Sequence, residues 1–321
     1  MNGARGGRLL WIGMLLAAAC GLGRGRGPSC LGPRKKPVAA LDQVAAPSCP
    51  AETFAAGPSS GATRFAVIGD YGNGGPAELA AAALVKSWRP AFIVTTGDNN
   101  YPRGEAETID ANIGAAYHQF IAPYFGHLGC GGDRNRFFPS LGNHDWQSEG
   151  AQPYLDYFTL PGNERYYDVV WGDVHLFALD SDPREPDGVD VGSVQAAWLR
   201  RALAESTARW KVVYMHHPPY SSGPHGSTLT QRWPYKDWGA SLVLAGHDHI
   251  YERLIVDGLP YVVNGLGGAT FYALGAPLPE SQVRFTDTAG ALLIDADATA
   301  LHARFVATDG RTIDEWTQPA R

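Results

Sequence analysis

Five short clusters with polar side chains, each closing an apolar run, constrain the fold of this 321-residue chain more than any other feature. The apolar runs have the length and composition of buried strands, and they are Phe65–Ile68, Ala91–Thr95, Phe137–Leu141, Lys211–Met215 and Ser241–Ala245. The clusters are Gly69-Asp70-Tyr71-Gly72, Gly97-Asp98-Asn99-Asn100-Tyr101, Gly142-Asn143-His144-Asp145, Val213-Tyr214-Met215-His216 and Gly246-His247-Asp248-His249. Because ligand sites of open α/β sheets lie beyond the carboxyl ends of the strands, we expect these side chains to converge on one site.

The side chains in the clusters indicate a site for two metal ions. Carboxylate, phenol, amide and imidazole groups suit hard or borderline cations, and no cysteine lies in the clusters. A single aspartate at a strand end more often caps a helix or forms a turn. Packing does not explain why six of the ten histidines lie in or just after the clusters, namely His144, His216, His217, His225, His247 and His249.

The composition favours a folded domain with an acidic net charge. Hydrophobic residues make up 45% and aromatic residues 11% of the chain, which is enough for a large core and excludes general disorder. Residues 1–64 carry eight basic and two acidic residues, so the remainder carries 18 basic and 30 acidic residues. A domain with this excess of acidic residues offers no basic surface for nucleic acid, and we expect no nucleic-acid partner.

Residues 1–19 resemble a signal peptide for export. Arg5 and Arg8 precede an apolar run that ends at Ala19 and is shorter than the roughly 20 residues of a transmembrane helix. Residues 16–20 resemble a lipoprotein box with its leucine displaced by one position. Cleavage after Ala19 would therefore leave Cys20 either as a lipid anchor to a membrane or unmodified. The exported chain would be periplasmic, a cell-surface lipoprotein or secreted.

Residues 20–63 are rich in Pro, Gly, Ala and Ser and are expected to form a flexible linker before a folded domain at residues 64–321. Four cysteines are too few for a disulfide scaffold. A disulfide between Cys49 and Cys130 and one between Cys30 and Cys49 are both possible.

Helix and strand signals alternate after residue 64. Helices are expected at Pro76–Trp88, at Ile109–Phe120 and after an N-cap at Ser193. Hairpins are expected around Trp171-Gly172-Asp173 and Asp257-Gly258. Three late strands, at residues 291–295, 301–308 and 312–316, alternate in a way that is typical of a half-buried antiparallel sheet.

Read in order, the clusters are Gly-Asp-x-Gly, Gly-Asp-x-x-Tyr, Gly-Asn-His-Asp, Val-x-x-His and Gly-His-x-His. This set resembles the purple acid phosphatases of the calcineurin-like metallophosphoesterase superfamily, and most closely their small, tartrate-resistant type. Each motif is weak alone, whereas five in this order are specific. The resemblance implies an α/β fold, a four-layer α/β/β/α sandwich of two packed mixed sheets flanked by helices.

The resemblance also implies two metal ions that share Asp98. The ligands of the first ion, which is Fe(III) in the family, would be Asp70, Asp98, Tyr101 and His249. The ligands of the second, an Fe(II), Zn(II) or Mn(II) ion, would be Asp98, Asn143, His216 and His247. A phenolate suits a trivalent ion, and an amide with two imidazoles suits a divalent one. Tyr101 discriminates best, because related protein phosphatases lack a tyrosine ligand there; its alternative role is packing before Pro102.

By the same resemblance, the chain is expected to be an acid phosphatase in which metal-bound hydroxide attacks the phosphorus of phosphate monoesters. His144 is the candidate acid for the leaving oxygen, Asp145 would orient it, and His225 would be a second histidine on the substrate side. The substrate-binding residues would be Asn143, His144, His217 and His225. His217 either lines the pocket or faces away from it.

Two other functions are possible on this scaffold. One is a phosphodiesterase or nucleotidase, and the other is a non-catalytic, surface-tethered protein that binds metal. The expected substrates are small phosphate esters, and no obligate protein partner is inferred. Asp180 and Ser181 end a further strand, but the sequence assigns them no chemical role.

Overall fold

The computed structural model describes residues 61–320, which form two β-sheets and several helices. The strands are β1 (Thr63–Ile68), β2 (Phe92–Thr95), β3 (Phe137–Pro139), β4 (Tyr167–Trp171), β5 (Val174–Ala178), β6 (Trp210–Tyr214), β7 (Leu242–Ala245), β8 (Tyr251–Val256), β9 (Leu259–Asn264), β10 (Ser281–Phe285), β11 (Gly290–Ala296), β12 (Ala300–Ala307) and β13 (Thr312–Pro319). The α-helices are α1 (Pro76–Ser87), α2 (Ala106–Ile109), α3 (Ala115–Tyr117), α4 (Gln152–Tyr157) and α5 (Val194–Glu205).

Both sheets are mixed. The first has the strand order β13-β12-β11-β1-β2-β3, and the second has the order β10-β8-β9-β7-β6-β5-β4. Strands β1, β2 and β3 are parallel to one another, as are β5, β6, β7 and β9. The five clusters therefore follow the carboxyl ends of parallel strands, three in the first sheet and two in the second.

The alternating side chains of the second sheet show how the layers pack. Val212 and Tyr214 of β6 belong to the core between the two sheets. Val213 of the same strand and Met215 directly after it point the other way and pack in a second core with Leu199 of α5. Helix α1 contributes its buried side chains to the core of the first sheet. The predicted sandwich of two sheets with flanking helices is confirmed.

Most predicted elements are present with bounds within about two residues. The side chain of Ser193 caps α5 by accepting a hydrogen bond from the backbone of Ala196 at 3.0 Å. The single helix expected at Ile109–Phe120 is wrong in detail, because a π-helical turn at Asp110–Gly114 separates α2 from α3. Both hairpins are present, whereas β10 and α4 were not predicted.

The prediction of a half-buried sheet at residues 291–316 is wrong for β11. This strand is almost entirely buried. It lies inside the first sheet, where it pairs with β1 on one side and with β12 on the other. Helix α1 packs against this strand, and most of the strand's apolar side chains belong to the main hydrophobic core, so neither face is in contact with solvent.

The predicted signal peptide, the linker and Cys20, Cys30 and Cys49 lie outside the described residues. Cys130 is disulfide-bonded. Its partner is not among the described residues, because it is the only cysteine in that range. Within residues 61–320, no helix combines the length and apolar character that a membrane span requires.

Candidate metal centre

The loops after β1, β2, β3, β6 and β7 meet at one end of the sandwich. The backbone N–H of Asp70 donates to the carbonyl of Gly97 at 3.1 Å, which joins the loops after β1 and β2. The N–H of Gly246 donates to the carbonyl of His216 at 2.9 Å, which joins the loops after β6 and β7. The N–H of His247 donates to the Asp70 carboxylate at 3.0 Å and so connects the two sheets.

Three of the predicted ligands lie in left-handed backbone conformations. The φ angles are 55° at Asp70, 51° at Asp98 and 69° at His247. Such conformations cost on the order of 1–3 kcal/mol each and persist only where the surrounding structure enforces them. All three follow the glycine at the end of a strand, where the turn directs the side chain into the site. Five other non-glycine residues of the described chain also have positive φ, so the left-handed backbone is a feature of these three ligands but is not unique to them.

The glycines of the motifs allow these loops to approach closely. A Cβ atom on Gly246 would lie 2.4 Å from Oδ2 of Asp70. A Cβ atom on Gly142 would lie 2.2 Å from both the backbone nitrogen and Oδ1 of Asp98. Since no side chain fits at these distances, the glycines are needed for packing of the loops as well as for the turns.

The first group of ligands surrounds the Tyr101 hydroxyl. Its oxygen lies 3.1 Å from Oδ2 of Asp98, 3.4 Å from Oδ1 of Asp70 and 3.1 Å from Nε2 of His249. The His249 Nδ1 faces the carbonyl of Thr270 at 2.5 Å. Because a carbonyl only accepts hydrogen bonds, Nδ1 carries the proton and the lone pair of a neutral His249 lies on Nε2.

The second group surrounds Nε2 of His216. This atom lies 3.0 Å from Oδ1 of Asn143, 3.2 Å from Nδ1 of His247 and 3.4 Å from Oδ2 of Asp98. The His216 Nδ1 donates to the carbonyl of Thr96 at 2.9 Å. A neutral His216 therefore presents its Nε2 lone pair to the same point as the other acceptors.

The donor atoms of both groups fit cations. Carboxylate oxygens, an amide oxygen and imidazole lone pairs converge at short distances, and such acceptors repel one another unless a positive charge lies between them. The pKa of His216 reflects this environment. Burial would lower that pKa, but the Asp98 and Asp70 carboxylates raise it to about 10. Without a metal, a proton on His216 is the available positive charge, so metal binding at His216 must release it.

The remaining pKa shifts agree with a site that needs added positive charge. Burial opposes the ionisation of Asp98, but the charge of His216 and its hydrogen bond hold the pKa of Asp98 well below its usual range. Burial, with the Asp98 and Asp70 carboxylates, raises the pKa of Tyr101 well above that of a free phenol. Burial and the neighbouring His216 lower the pKa of His247, so its ring stays neutral and can bind a metal.

His144 lies beside both groups, and its ring is hydrogen-bonded to the backbone rather than to Asp145. The backbone N–H of His144 donates to Asp98 Oδ1 at 2.9 Å, and its Nδ1 is hydrogen-bonded to the carbonyl of Pro102. Its Nε2 faces the site, 3.9 Å from Asp98 Oδ2. The orienting role predicted for Asp145 would act through the backbone of the loop, because its buried carboxylate accepts from the N–H groups of Gly142, at 2.8 Å, and Asn99, at 3.1 Å.

His217 and His225 also lie at the site. The His217 ring centroid is 4.5 Å from that of His247, and its Nδ1 is 2.9 Å from the hydroxyl oxygen of Ser181. Metal-ligating atoms of His216, His217 and His247 all lie within 4.8 Å of one another, so His217 lines the pocket rather than facing away. The exposed His225 stacks on His247 with a centroid distance of 4.3 Å.

The structure places further groups at the site that the sequence did not indicate. The carbonyls of Thr96, Pro102 and Thr270 set the tautomers of three histidines, but backbone groups leave no signal in a sequence. Tyr272 stacks on His249 at 4.1 Å, with 7° between the ring planes. Asp248 could have been suspected from its place between two ligands; it accepts from the backbone N–H of His225 at 2.9 Å.

Comparison with known proteins agrees with this site. Residues 63–251 match the calcineurin-like phosphoesterase family. Purple acid phosphatase 17 of Arabidopsis thaliana is 28% identical over 243 residues, which cover 65% of this chain and 69% of that protein. Tartrate-resistant acid phosphatase type 5 of Homo sapiens is 24% identical over 247 residues, which cover 64% of this chain and 73% of that protein.

A solved structure gives the same fold. Purple acid phosphatase PPD1 from seeds of yellow lupin (Lupinus luteus) superposes with a TM-score of 0.64 at 16% identity, covering 80% of this chain and 53% of that chain. Fold and ligand groups together define a metallophosphoesterase. The chain belongs to the calcineurin-like phosphoesterase family, and within it the chain is similar to the purple acid phosphatases.

Proposed function

We propose that this protein is an exported acid phosphatase that hydrolyses phosphate monoesters at a pair of metal ions. One observation carries the proposal. Seven donor side chains from five strand ends form two groups, and Oδ2 of Asp98 belongs to both, 3.1 Å from the Tyr101 hydroxyl and 3.4 Å from His216 Nε2. The names of the similar proteins support the choice of acid phosphatase among metallophosphoesterases.

The proposed ligands of one ion are Asp70, Asp98, Tyr101 and His249, and those of the other are Asp98, Asn143, His216 and His247. We propose Fe(III) for the first site, because a phenolate suits a trivalent ion, and Fe(II), Zn(II) or Mn(II) for the second. Bound there, the two ions would supply a nucleophile from water at moderate pH and neutralise charge on the phosphate. The carbonyls of Thr96 and Thr270 fix the His216 and His249 lone pairs toward these sites.

His144 is placed to donate a proton to the leaving alcohol. The N–H at Nδ1 donates a hydrogen bond to the Pro102 carbonyl. A protonated ring therefore carries its second proton on Nε2, the atom that faces the site. About a third of the His144 side chain is exposed, so a leaving alcohol can reach it from solvent. His217 and His225, which flank His247, are proposed to contact the phosphate oxygens. Chiefly through burial, the pKa of His217 is lowered to about 3, so it would do so as a neutral ring.

The central test compares two esters. Metal-loaded protein is assayed with 4-nitrophenyl phosphate and with bis(4-nitrophenyl) phosphate between pH 4 and 8. We expect the monoester to be hydrolysed at least about tenfold faster, with loss of activity after chelation of the metals. Faster hydrolysis of the diester would replace the proposal with a phosphodiesterase. Metal-loaded protein that hydrolyses neither ester would refute catalysis and leave a metal-binding function.

Export and the lipid anchor are a separate part of the proposal. The support is the apolar run before Ala19 and the lipoprotein-like residues 16–20, which lie outside the described residues. Mass spectrometry of the chain from its native cell should show a mature N-terminus at Cys20 with added acyl mass. Cys20→Ser should remove that mass. An intact N-terminus at Met1 would contradict export, and an unmodified Cys20 would contradict the anchor.

A further inference from the structure

The segment Asp180–Arg184, which we call the brace, follows β5 and supplies none of the proposed metal ligands or catalytic groups. Within it, Arg184 is held in one orientation by Asp182. The Nε of Arg184 donates to Asp182 Oδ1 at 2.7 Å, and its Nη2 donates to Asp182 Oδ2, also at 2.7 Å. The Asp182 side chain is 2% exposed. A bidentate pair with a buried carboxylate fixes the plane of the guanidinium.

The same guanidinium donates hydrogen bonds to the loop that carries Asn143 and His144. Its Nη2 donates to the carbonyl of Asn143 at 3.0 Å, and its Nη1 donates to the carbonyl of Trp146 at 3.2 Å. These two carbonyls lie on either side of His144 and Asp145 in the chain. A second contact from the brace reaches this loop, because the indole N–H of Trp146 donates to Asp180 at 2.9 Å.

We propose that Arg184 is a positioning residue that sets the placement of both Asn143 and His144. On the inner side, the loop is fixed by the Asp145 carboxylate and by the hydrogen bond from His144 N–H to Asp98. On the outer side, the two carbonyls accept charge-assisted hydrogen bonds from Arg184, which are about twice as strong as neutral ones. The roles of Asn143 as a ligand and of His144 as an acid rest on the proposed function.

The test uses Arg184→Ala with two measurements, one of which does not depend on activity. Equilibrium dialysis with Zn²⁺ gives the two dissociation constants per chain, and we expect about tenfold weaker binding at one site only, because residues behind a ligand typically contribute 10–100-fold to affinity. Turnover of glycerol phosphate should fall more than turnover of 4-nitrophenyl phosphate, because only the poorer leaving group needs the His144 proton. Arg184→Lys, which keeps the charge without the fork, should lie between the variant and wild type.

Arg200→Ala is the matched control, because Arg200 is exposed on α5. It should leave zinc binding and both turnover rates unchanged. If Arg184→Ala fails to fold, as judged by its thermal unfolding, the same measurements are made on Asp182→Asn. That substitution weakens the bidentate pair that orients the guanidinium but keeps Arg184 in the protein. The inference would be overturned if the folded variant bound zinc as wild type does and kept the same ratio of glycerol phosphate to 4-nitrophenyl phosphate turnover. Equal weakening of both zinc sites would also overturn it. If wild-type protein binds zinc but releases no phosphate, the proposed function fails and the zinc measurement alone decides the role of Arg184.

Discussion

Substitution of Gly142 by alanine tests how closely the loops after β2 and β3 must approach. The new Cβ would lie 2.2 Å from the backbone nitrogen and from Oδ1 of Asp98, whereas ordinary contacts begin at 3.4 Å. The two loops must therefore separate by about 1.2 Å, which is the difference between these distances. Asp98 is the carboxylate that both ligand groups share, and its Oδ1 also accepts the hydrogen bond from His144. The substitution thus moves the centre of the site without removing a donor atom.

Two effects of different size are expected from Gly142→Ala. A displacement of about 1 Å at a reacting centre lowers turnover by about 10²-fold. Overpacking of a buried site costs about 1–3 kcal/mol, which for a domain of this size corresponds to a fall of roughly 2–12 °C in Tm. The loss of activity should therefore be much larger than the loss of folded protein at 25 °C.

The assay is hydrolysis of 4-nitrophenyl phosphate with metal content measured on the same samples. Gly258→Ala is the control, because Gly258 lies in the β8–β9 turn with a φ of 80° and has no atom within 4 Å of the position that a Cβ would take. It should lower Tm by a few degrees through backbone strain and leave turnover unchanged. Wild-type turnover in a folded Gly142→Ala protein would refute the reasoning that Asp98 must stay in place.

Three other substitutions separate the roles of single residues. His144→Ala should keep both metals and slow glycerol phosphate about 10²-fold more than 4-nitrophenyl phosphate; equal losses on both esters would remove its role as an acid. Tyr101→Phe should abolish the visible absorption of iron-loaded protein, which a phenolate ligand produces; a retained band would exclude Tyr101 as a ligand. Burial raises the pKa of Glu78 to about 8, although backbone N–H groups of Asn73 and Gly74 oppose the shift. Because this pKa is higher in the folded than in the unfolded protein, protonated Glu78 contributes stability that is fully present below about pH 4.5. That contribution is lost as the pH rises through about 8. Glu78→Gln should therefore lose less stability than wild type between pH 5 and 8 in urea unfolding; parallel losses would show that Glu78 is ionised in the folded protein.

The parts of the site that the sequence predicted are those set by local rules. A glycine after a buried strand marks a sharp turn, and parallel strands place their carboxyl ends together, so Asp70, Asp98 and His247 could be grouped from the amino-acid pattern alone. The phenol of Tyr101 could be added because it follows Asp98 by three residues in the same loop. The continuous apolar runs of β6 and β7 likewise indicated buried strands, and their bounds differ from prediction by at most one residue.

The parts that the sequence missed depend on contacts between distant segments. Asp145 is adjacent to His144 in the chain, yet its carboxylate accepts from the backbone N–H groups of Gly142 and Asn99, partners that adjacency did not indicate. The carbonyls of Pro102 and Thr270 act through the backbone, which has no residue signature. The burial of β11 follows from its place beside β1 and from the packing of α1 against it, and both elements lie more than 200 residues earlier in the chain.

Elemental analysis of the purified, iron- and zinc-supplied protein is the most direct test of the dinuclear site. We expect two ions per chain in wild type, and none in Asp98→Ala, because that substitution removes the carboxylate common to both ligand groups. Wild-type protein that binds fewer than two ions, or an Asp98→Ala protein that retains both, would contradict this expectation.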